Sequence, residues 1–485
     1  MRTTRLDSVG KGQLGTIKKV GGLRTMRGLR IILRWLRTTI AAFAVFAVLP
    51  PAIAYAADCE LTEADIAHGA TGVPEDVAVK LDPLGARKAL AQHGIGVGGA
   101  YYGESFGNWG GFDQGVEYDG VLELYMKADM HRLGLWKGLC FHTDAYQIHG
   151  NSITAANIGS LMPVSNLEAT DATRLFELWF EQHLYDDKVA VKFGQLAADA
   201  EFLISEGGGY FLNGTWGWPS YTAADMPSGG PAYPLATPGV RVQIVPTDKL
   251  TVLAAVYNGD PAGPNCTGDP QRCNSDGLDF RLDDPPLLMI EGQYKYNQDH
   301  LAGTVKFGGW NHFGSFEDQR FDSGGALMTV TGKAALVHGD DYGFYGIIDQ
   351  LIWRVPNSED PKGVGWFGRI MGAPSDRNLV DFYADTGLTF TGMIPGRPDD
   401  AVAIGFAYTG ISDDAGAFDV DSGETISRNY EALIEICYTY QINPGWSVQP
   451  DFQYIFQPGG GVPDDGGTKA VDDAIVLGAR TSINF

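Results

Sequence analysis

From Gly94 to the terminal Phe485 the chain alternates in side-chain character with a period of two. The last segment sets Ile475, Leu477, Ala479, Thr481, Ile483 and Phe485 on one face, and Val476, Gly478, Arg480, Ser482 and Asn484 on the other. Period two is the signature of a strand with two unlike faces, whereas helices repeat near 3.6. Ala432, Ile434, Ile436, Tyr438 and Tyr440 alternate in the same way with Glu431, Leu433, Glu435, Cys437 and Thr439. Sixteen strands are predicted, beginning near Gly94, Gly115, Trp136, Arg174, Lys188, Gly239, Leu250, Leu287, Leu301, Tyr342, Val364, Leu379, Ala401, Ser427, Gly445 and Ala474.

The connections alternate too. Short turns such as Asp186-Asp187, Pro246-Thr247-Asp248, Asn297-Gln298-Asp299 and Asn443-Pro444 are interleaved with long Gly/Pro/Asp-rich loops such as Ala198–Pro238 and Asn258–Pro286. An even strand number with long loops at one rim and short turns at the other is the plan of an outer-membrane barrel. Closure satisfies every backbone polar group in lipid without leaving an edge. A pair of soluble β-sandwiches would not need large apolar residues on the outward face of nearly every strand. The fold class predicted is therefore all-β: a transmembrane antiparallel β-barrel of about sixteen strands, spanning 94–485.

The N-terminal end reads differently. Met1 to Ala56 holds ten basic side chains and one acid, Asp7. Arg24, Arg27, Arg30, Arg34 and Arg37 precede a short apolar stretch, Thr38 to Leu49, and Ala54-Tyr55-Ala56 follows. This is the layout of a cleaved secretory signal peptide, 1–56, with Met26 as an alternative start. Asp58 departs from the small residue that a lipidation signal would place before Cys59. Residues 57–93 form a separate segment with one short helix, Asp82 its N-cap and Gly94 beyond its end, able to plug or tether the periplasmic mouth.

The whole chain carries a net charge of -24, but the part beyond Ala56 carries 25 basic and 58 acidic side chains, a net -33. That balance argues against nucleic acid, whose phosphates need clustered Lys and Arg, and should disfavour small anions. In an oxidising compartment Cys266 and Cys273 are expected to form a small loop disulfide. Cys140 and Cys437 read as apolar packing residues. No P-loop, H-E-x-x-H or C-x-x-C is present, and nine scattered histidines give no metal spacing, so no cofactor is expected. Gly94–Gly99 (G-x-G-x-x-G) and Gly103–Gly107 (G-x-S-x-G) lack their strand-to-helix context. Asp419-Val420-Asp421-Ser422-Gly423-Glu424 offers calcium ligands, against the simpler reading of a solvated acidic loop.

Alternation puts Glu177 and Glu181, and likewise Glu431 and Glu435, on water-lining faces. Lys192, Arg241, Arg369 and Arg480 fall on such faces as well, so acidic and basic walls would hold a field across the pore. The loop Ala198–Pro238 gathers Tyr210, Phe211, Trp216, Trp218, Tyr221 and Tyr233. Such aromatics either pack inside the barrel or stack on the apolar face of a sugar ring, so Trp216, Trp218 and Tyr221 are candidate substrate contacts.

Several runs carry a resemblance. Leu235-Ala236-Thr237-Pro238-Gly239-Val240-Arg241, Val256-Tyr257-Asn258-Gly259-Asp260-Pro261, Phe280-Arg281-Leu282-Asp283-Asp284-Pro285-Pro286, Ala373-Pro374-Ser375-Asp376-Arg377-Asn378, Ile394-Pro395-Gly396-Arg397 and Gln449-Pro450-Asp451-Phe452-Gln453-Tyr454 resemble the OprB-like carbohydrate-selective porins. The resemblance runs from about Gly94 to Phe485. It implies a sixteen-stranded channel in the outer membrane of a Gram-negative bacterium, passing monosaccharides such as glucose without catalysis, with inward-folded loops. It also implies outer-membrane lipid and lipopolysaccharide around the barrel, and recognition of Phe485 by the barrel assembly machinery. The alternatives are a general or cation-preferring porin, a barrel enzyme and a barrel-anchored binding protein. The last two want a catalytic constellation or a large extra domain, and the sequence offers neither.

Overall fold

The computed structural model describes Asp82 and residues 84–298, 300–356 and 362–485. The segment 1–56 and, of 57–93, residues 57–81 and 83 lie outside the described residues. Within that range the helix Ala86–Gln92 has the Asp82 carboxylate accepting the Ala86 amide at 2.7 Å, so its first turn is served by the expected residue from three positions further out.

Sixteen strands close a single barrel: β1 (Ile95–Gly111), β2 (Val116–Asp129), β3 (Leu139–Gly150), β4 (Ala172–Leu184), β5 (Val189–Leu196), β6 (Thr237–Thr247), β7 (Leu250–Asn258), β8 (Pro286–Tyr296), β9 (Gly303–His312), β12 (Asp341–Arg354), β13 (Gly363–Gly372), β14 (Val380–Thr391), β15 (Ala401–Ile411), β16 (Tyr430–Asn443), β17 (Trp446–Phe456) and β18 (Asp472–Asn484). Every neighbour pair is antiparallel. Closure is made by β1 on β18, from Ala100↔Asn484 to Gly111↔Asp472, and Phe485 exchanges both backbone hydrogen bonds with Gly99. Each strand begins within three residues of its predicted start. A further hairpin, β10 (Phe316–Asp322) with β11 (Ala335–His338), lies outside the barrel in the 313–340 loop and was not foreseen. Two short strands inside a polar loop, of seven and four residues, carry too little apolar alternation to stand out.

One rim carries the connections 151–171, 197–236, 259–285, 313–340, 412–429 and 457–471; the other carries short ones such as 185–188, 248–249 and 444–445. Outward side chains include Phe193, Val240, Ile290, Phe307, Ile404, Phe406 and Leu477, all exposed, as a lipid-facing coat must be. Trp446, Tyr440 and Trp353 ring the short-turn end, and Trp109, Tyr118 and Phe382 the other, at the depth where aromatic girdles sit.

Inward positions are not all wet. The 197–236 loop folds into the lumen, burying Phe202, Leu203, Phe211, Leu212, Trp216 and Tyr221 against Tyr257, Met289, Trp310, Tyr345, Phe367 and Tyr383 of β7–β14. A sixteen-stranded barrel is too wide for its own side chains to fill, so a loop must supply the packing. Close approach is bought with two wall glycines. A Cβ at Gly343 would fall onto the Tyr221 hydroxyl, and one at Gly405 would stand 2.6 Å from the Trp216 ring.

We expect Gly343→Val to displace Tyr221 and loosen the loop, costing about 1–3 kcal/mol as overpacking does. Protease nicking within 197–236 on a folded, heat-modifiable barrel checks it; an unnicked loop would show that the wall tolerates the extra bulk.

Candidate functional site

The inner loops are held by wall carboxylates. Glu435 on β16, fully buried, accepts the Leu212 amide at 2.6 Å and the Trp216 indole N–H at 2.6 Å. Glu431, two positions along the same face, accepts the amides of Leu161, Met162 and Gly459 at 2.7–2.8 Å. Glu291 on β8 accepts from Leu203, and Asp349 on β12 from Ser205 and Gly207. The expectation that Glu431 and Glu435 line water is therefore corrected. They face inward as alternation requires, but each meets backbone N–H groups that would otherwise be buried unpaired, at about 1–3 kcal/mol apiece.

Three of the four basic residues follow a second rule, sitting directly across from an acid on the neighbouring strand. Arg480 on β18 pairs in register with Glu104 on β1, Arg369 on β13 with Asp385 on β14, and Lys192 on β5 with Glu181 on β4. Arg369, fully enclosed, bonds Asp385 at 2.6 Å and spends its other N–H groups on the loop carbonyls of Leu203 and Thr215. Arg480 bonds Glu104 at 2.7 Å and reaches Ser165 and Asn166 of the 151–171 loop at 2.9 and 2.7 Å. Both therefore serve as loop clamps.

Glu177, Glu181, Lys192 and Arg241 come together. Glu181, Lys192 and Arg241 form a cross-strand row on β4, β5 and β6. Arg241 bonds Glu181 at 2.9 Å and Glu201 of the inner loop, and Lys192 bonds Glu201 at 2.6 Å. Burial alone would raise the Glu201 carboxyl, but Lys192 and Arg241 beside it hold it below its ordinary value. Lys192 Nζ lies 4.2 Å above the Trp179 ring, and the Trp179 indole donates to Glu177 at 3.4 Å. Trp179 and Glu201 escaped the sequence reading. Trp179 shares a strand face with Glu181, two residues away, and that alternation could have found it; Glu201 lies in a loop, where no period applies.

This cluster borders a half-buried stretch of the lumen wall formed by inward Tyr102, Glu123, His142 and Glu177 on β1–β4, whereas many inward residues of β7–β17, Phe367, Tyr383 and Glu435 among them, are buried under the inner loop. Trp216 stacks on Phe211, centroids 4.4 Å apart, and abuts Phe367; Tyr221 accepts from the Trp310 indole at 2.8 Å. Both are enclosed, so packing accounts for them. Trp218 is half-buried and donates to the Gly229 carbonyl at 2.9 Å. Cys266 and Cys273 are disulfide-bonded. Cys140, read as a packing residue, is disulfide-bonded as well, and Cys437 is a free, buried thiol. Asp419 and Asp421, weighed as calcium ligands, lie in the helix Asp413–Asp421 and are each engaged by an arginine, Arg428 at 2.8 Å and Arg320 at 2.7 Å.

Arg369→Leu strands the Asp385 carboxylate and two loop carbonyls, so we expect a loss of about 3–5 kcal/mol and a larger ion conductance from a loosened loop. Thermal unfolding in detergent and single-channel current read both. Glu168, in the 151–171 loop, supplies a pH test. Burial pushes its carboxyl up to about 7, against the Ser152 hydroxyl and the Thr154 amide. Between its ordinary value and 7 the folded chain holds the proton that the unfolded chain has lost, so stability falls as pH rises through that window. Glu168→Gln should flatten this share of the melting-temperature profile; an unchanged slope would assign the dependence to other groups.

The comparisons with known proteins agree with this geometry. Residues 113–485 match the family model for the carbohydrate-selective porins of the OprB family. Porin B of Pseudomonas aeruginosa is 23% identical over 433 residues, covering 83% of this chain and 90% of that protein. A protein named as putative porin QuiX, from Acinetobacter baylyi, is 22% identical over 420 residues, covering 76% and 84%. A high-pH structure of Pseudomonas putida OprB superposes with a TM-score of 0.74 at 21% identity, covering 83% of this chain and 97% of that one, which establishes the fold. The chain belongs to the OprB family of carbohydrate-selective porins: it is a sugar-selective channel of the Gram-negative outer membrane, not an enzyme.

Proposed function

We propose that monosaccharides of the glucose type pass by passive diffusion along the half-buried β1–β5 side of the lumen, with Trp179, Lys192 and Glu201 as the nearest contacts. Glu177, Glu181 and Arg241 hold that cluster in place, and Arg480 positions the 151–171 loop beside it. The observation that carries this reading is an indole ring set among charged groups of both signs, beside the half-buried inward residues of β1–β4. Sugar rings have apolar C–H faces and hydroxyl rims, which such a surface matches. Contacts of this kind must be weak enough to release, or flux stops. Of the three loop aromatics, Trp218 is the one whose side chain is not enclosed; Trp216 and Tyr221 act by fixing the loop.

The remaining roles follow from the same reading. The leader 1–56 is removed on export, and 57–93 lies at the periplasmic mouth. Lipid and lipopolysaccharide cover the outward coat, and the assembly machinery reads Phe485. The experiment is single-channel current in a planar bilayer with glucose titrated in. Glucose should reduce the current of the native chain. Lys192→Gln and Trp179→Ala should each weaken that block about tenfold, equivalent to about 1.4 kcal/mol, on barrels that remain heat-modifiable. Unchanged block in both would remove the cluster from the sugar path.

A further inference from the structure

Three inward side chains on β3 and β4 converge in a way that sugar passage does not require. His142 and Asp144 alternate on β3 and Glu177 faces them from β4, and one ligand atom of each lies within 4.8 Å of the others. His142 Nε2 stands 3.7 Å from Asp144 Oδ2, beyond hydrogen-bond range. Bonds of about 2.0–2.2 Å from one zinc ion to imidazole nitrogen and carboxylate oxygen place its ligand atoms roughly 3–4 Å apart. The His142–Asp144 separation is of that size.

Each of the three is oriented by a neighbour. The His142 ring stacks on Trp179, with centroids 4.8 Å apart and planes 25° from parallel. Asp144 Oδ1 accepts the Glu177 amide at 2.7 Å, which leaves Oδ2 toward the imidazole. Glu177 Oε1 accepts the Ala197 amide at 3.0 Å. Neighbours of this kind fix ligand geometry before a metal arrives. His142 Nδ1 is buried without a hydrogen-bond partner, so the imidazole is not committed to a protein acceptor on that side. Lys192, whose charge reaches Glu177, is engaged by Glu201 at 2.6 Å. A neighbouring triplet, Cys140, Glu181 and His183, also converges, but Cys140 is disulfide-bonded and offers no thiolate.

We propose that His142, Asp144 and Glu177 form a lumen-wall site for a divalent transition-metal ion, best suited to zinc. One imidazole and two carboxylates supply three ligands, and water from the half-buried lumen completes the shell. An ion held there stands beside the open side of the channel and reduces the current through it.

The test uses the full mature chain in detergent, stripped with a chelator and titrated with zinc chloride by calorimetry. One site is expected in the native chain. His142→Ala and Asp144→Asn should each bind zinc at least about tenfold more weakly, with unaltered heat-modifiable migration. In a planar bilayer, zinc should lower the native current, a chelator should restore it, and His142→Ala should not respond. No zinc binding by the native chain, or equal binding by both variants, overturns the site. Glucose block of the native chain, read in the same bilayer with the chelator present and no zinc, reports separately on sugar passage.

Discussion

The structure depends on one exchange: inward carboxylates of the wall accept hydrogen bonds from the backbone of loops that enter the lumen. A sixteen-stranded cylinder solves the backbone problem on its lipid side by closure alone. It does not solve it inside, where the 151–171 and 197–236 loops bring irregular amides that no strand partner satisfies. Glu431, Glu435, Glu291 and Asp349 meet those amides. Arg369 and Arg480 meet loop carbonyls and side chains from the other sign of charge. The loop can then pack its aromatics on β7–β14.

The same exchange accounts for part of the acidity of the chain beyond Ala56. A net charge of -33 reads at first as a repulsive, solvated surface. Much of the lumen share is instead neutralised pair by pair across neighbouring strands, or spent on amides. Because Glu104, Asp385 and Glu181 lie in register with Arg480, Arg369 and Lys192, the charge balance is built into strand pairing. A one-residue slip in register would turn each of these groups toward lipid, so the pairs help to specify the barrel as well as its interior.

Most of the architecture was legible in the sequence because a lipid-facing strand must alternate, and alternation survives without knowledge of neighbours. Thus Ile475, Leu477 and Ile483 point outward, and Arg480 points inward, as the period requires. The inward aspect of Glu177, Glu181, Lys192 and Arg241 was legible for the same reason, but not their pairing on one wall, since the pattern suggested opposed acidic and basic walls. What alternation cannot show is whether an inward face meets water or a loop. Glu431 and Glu435 look like Glu177 in a pattern, yet the 151–171 loop seals the first and the 197–236 loop the second, from 270 and 223 residues away. Trp216 and Tyr221 were open to either reading until Phe367 and Trp310 were seen against them. His142, Asp144 and Glu177 belong to two strands, so no spacing in the chain announces them.

The central claim is that this lumen distinguishes sugars by contact and not by size. Swelling of liposomes carrying the channel tests it directly, comparing glucose with a neutral non-sugar solute of similar dimensions over a range of concentrations. Faster entry of glucose at low concentration, saturating as the concentration rises, is the predicted result. Equal rates that follow molecular size alone, with no saturation, would contradict it.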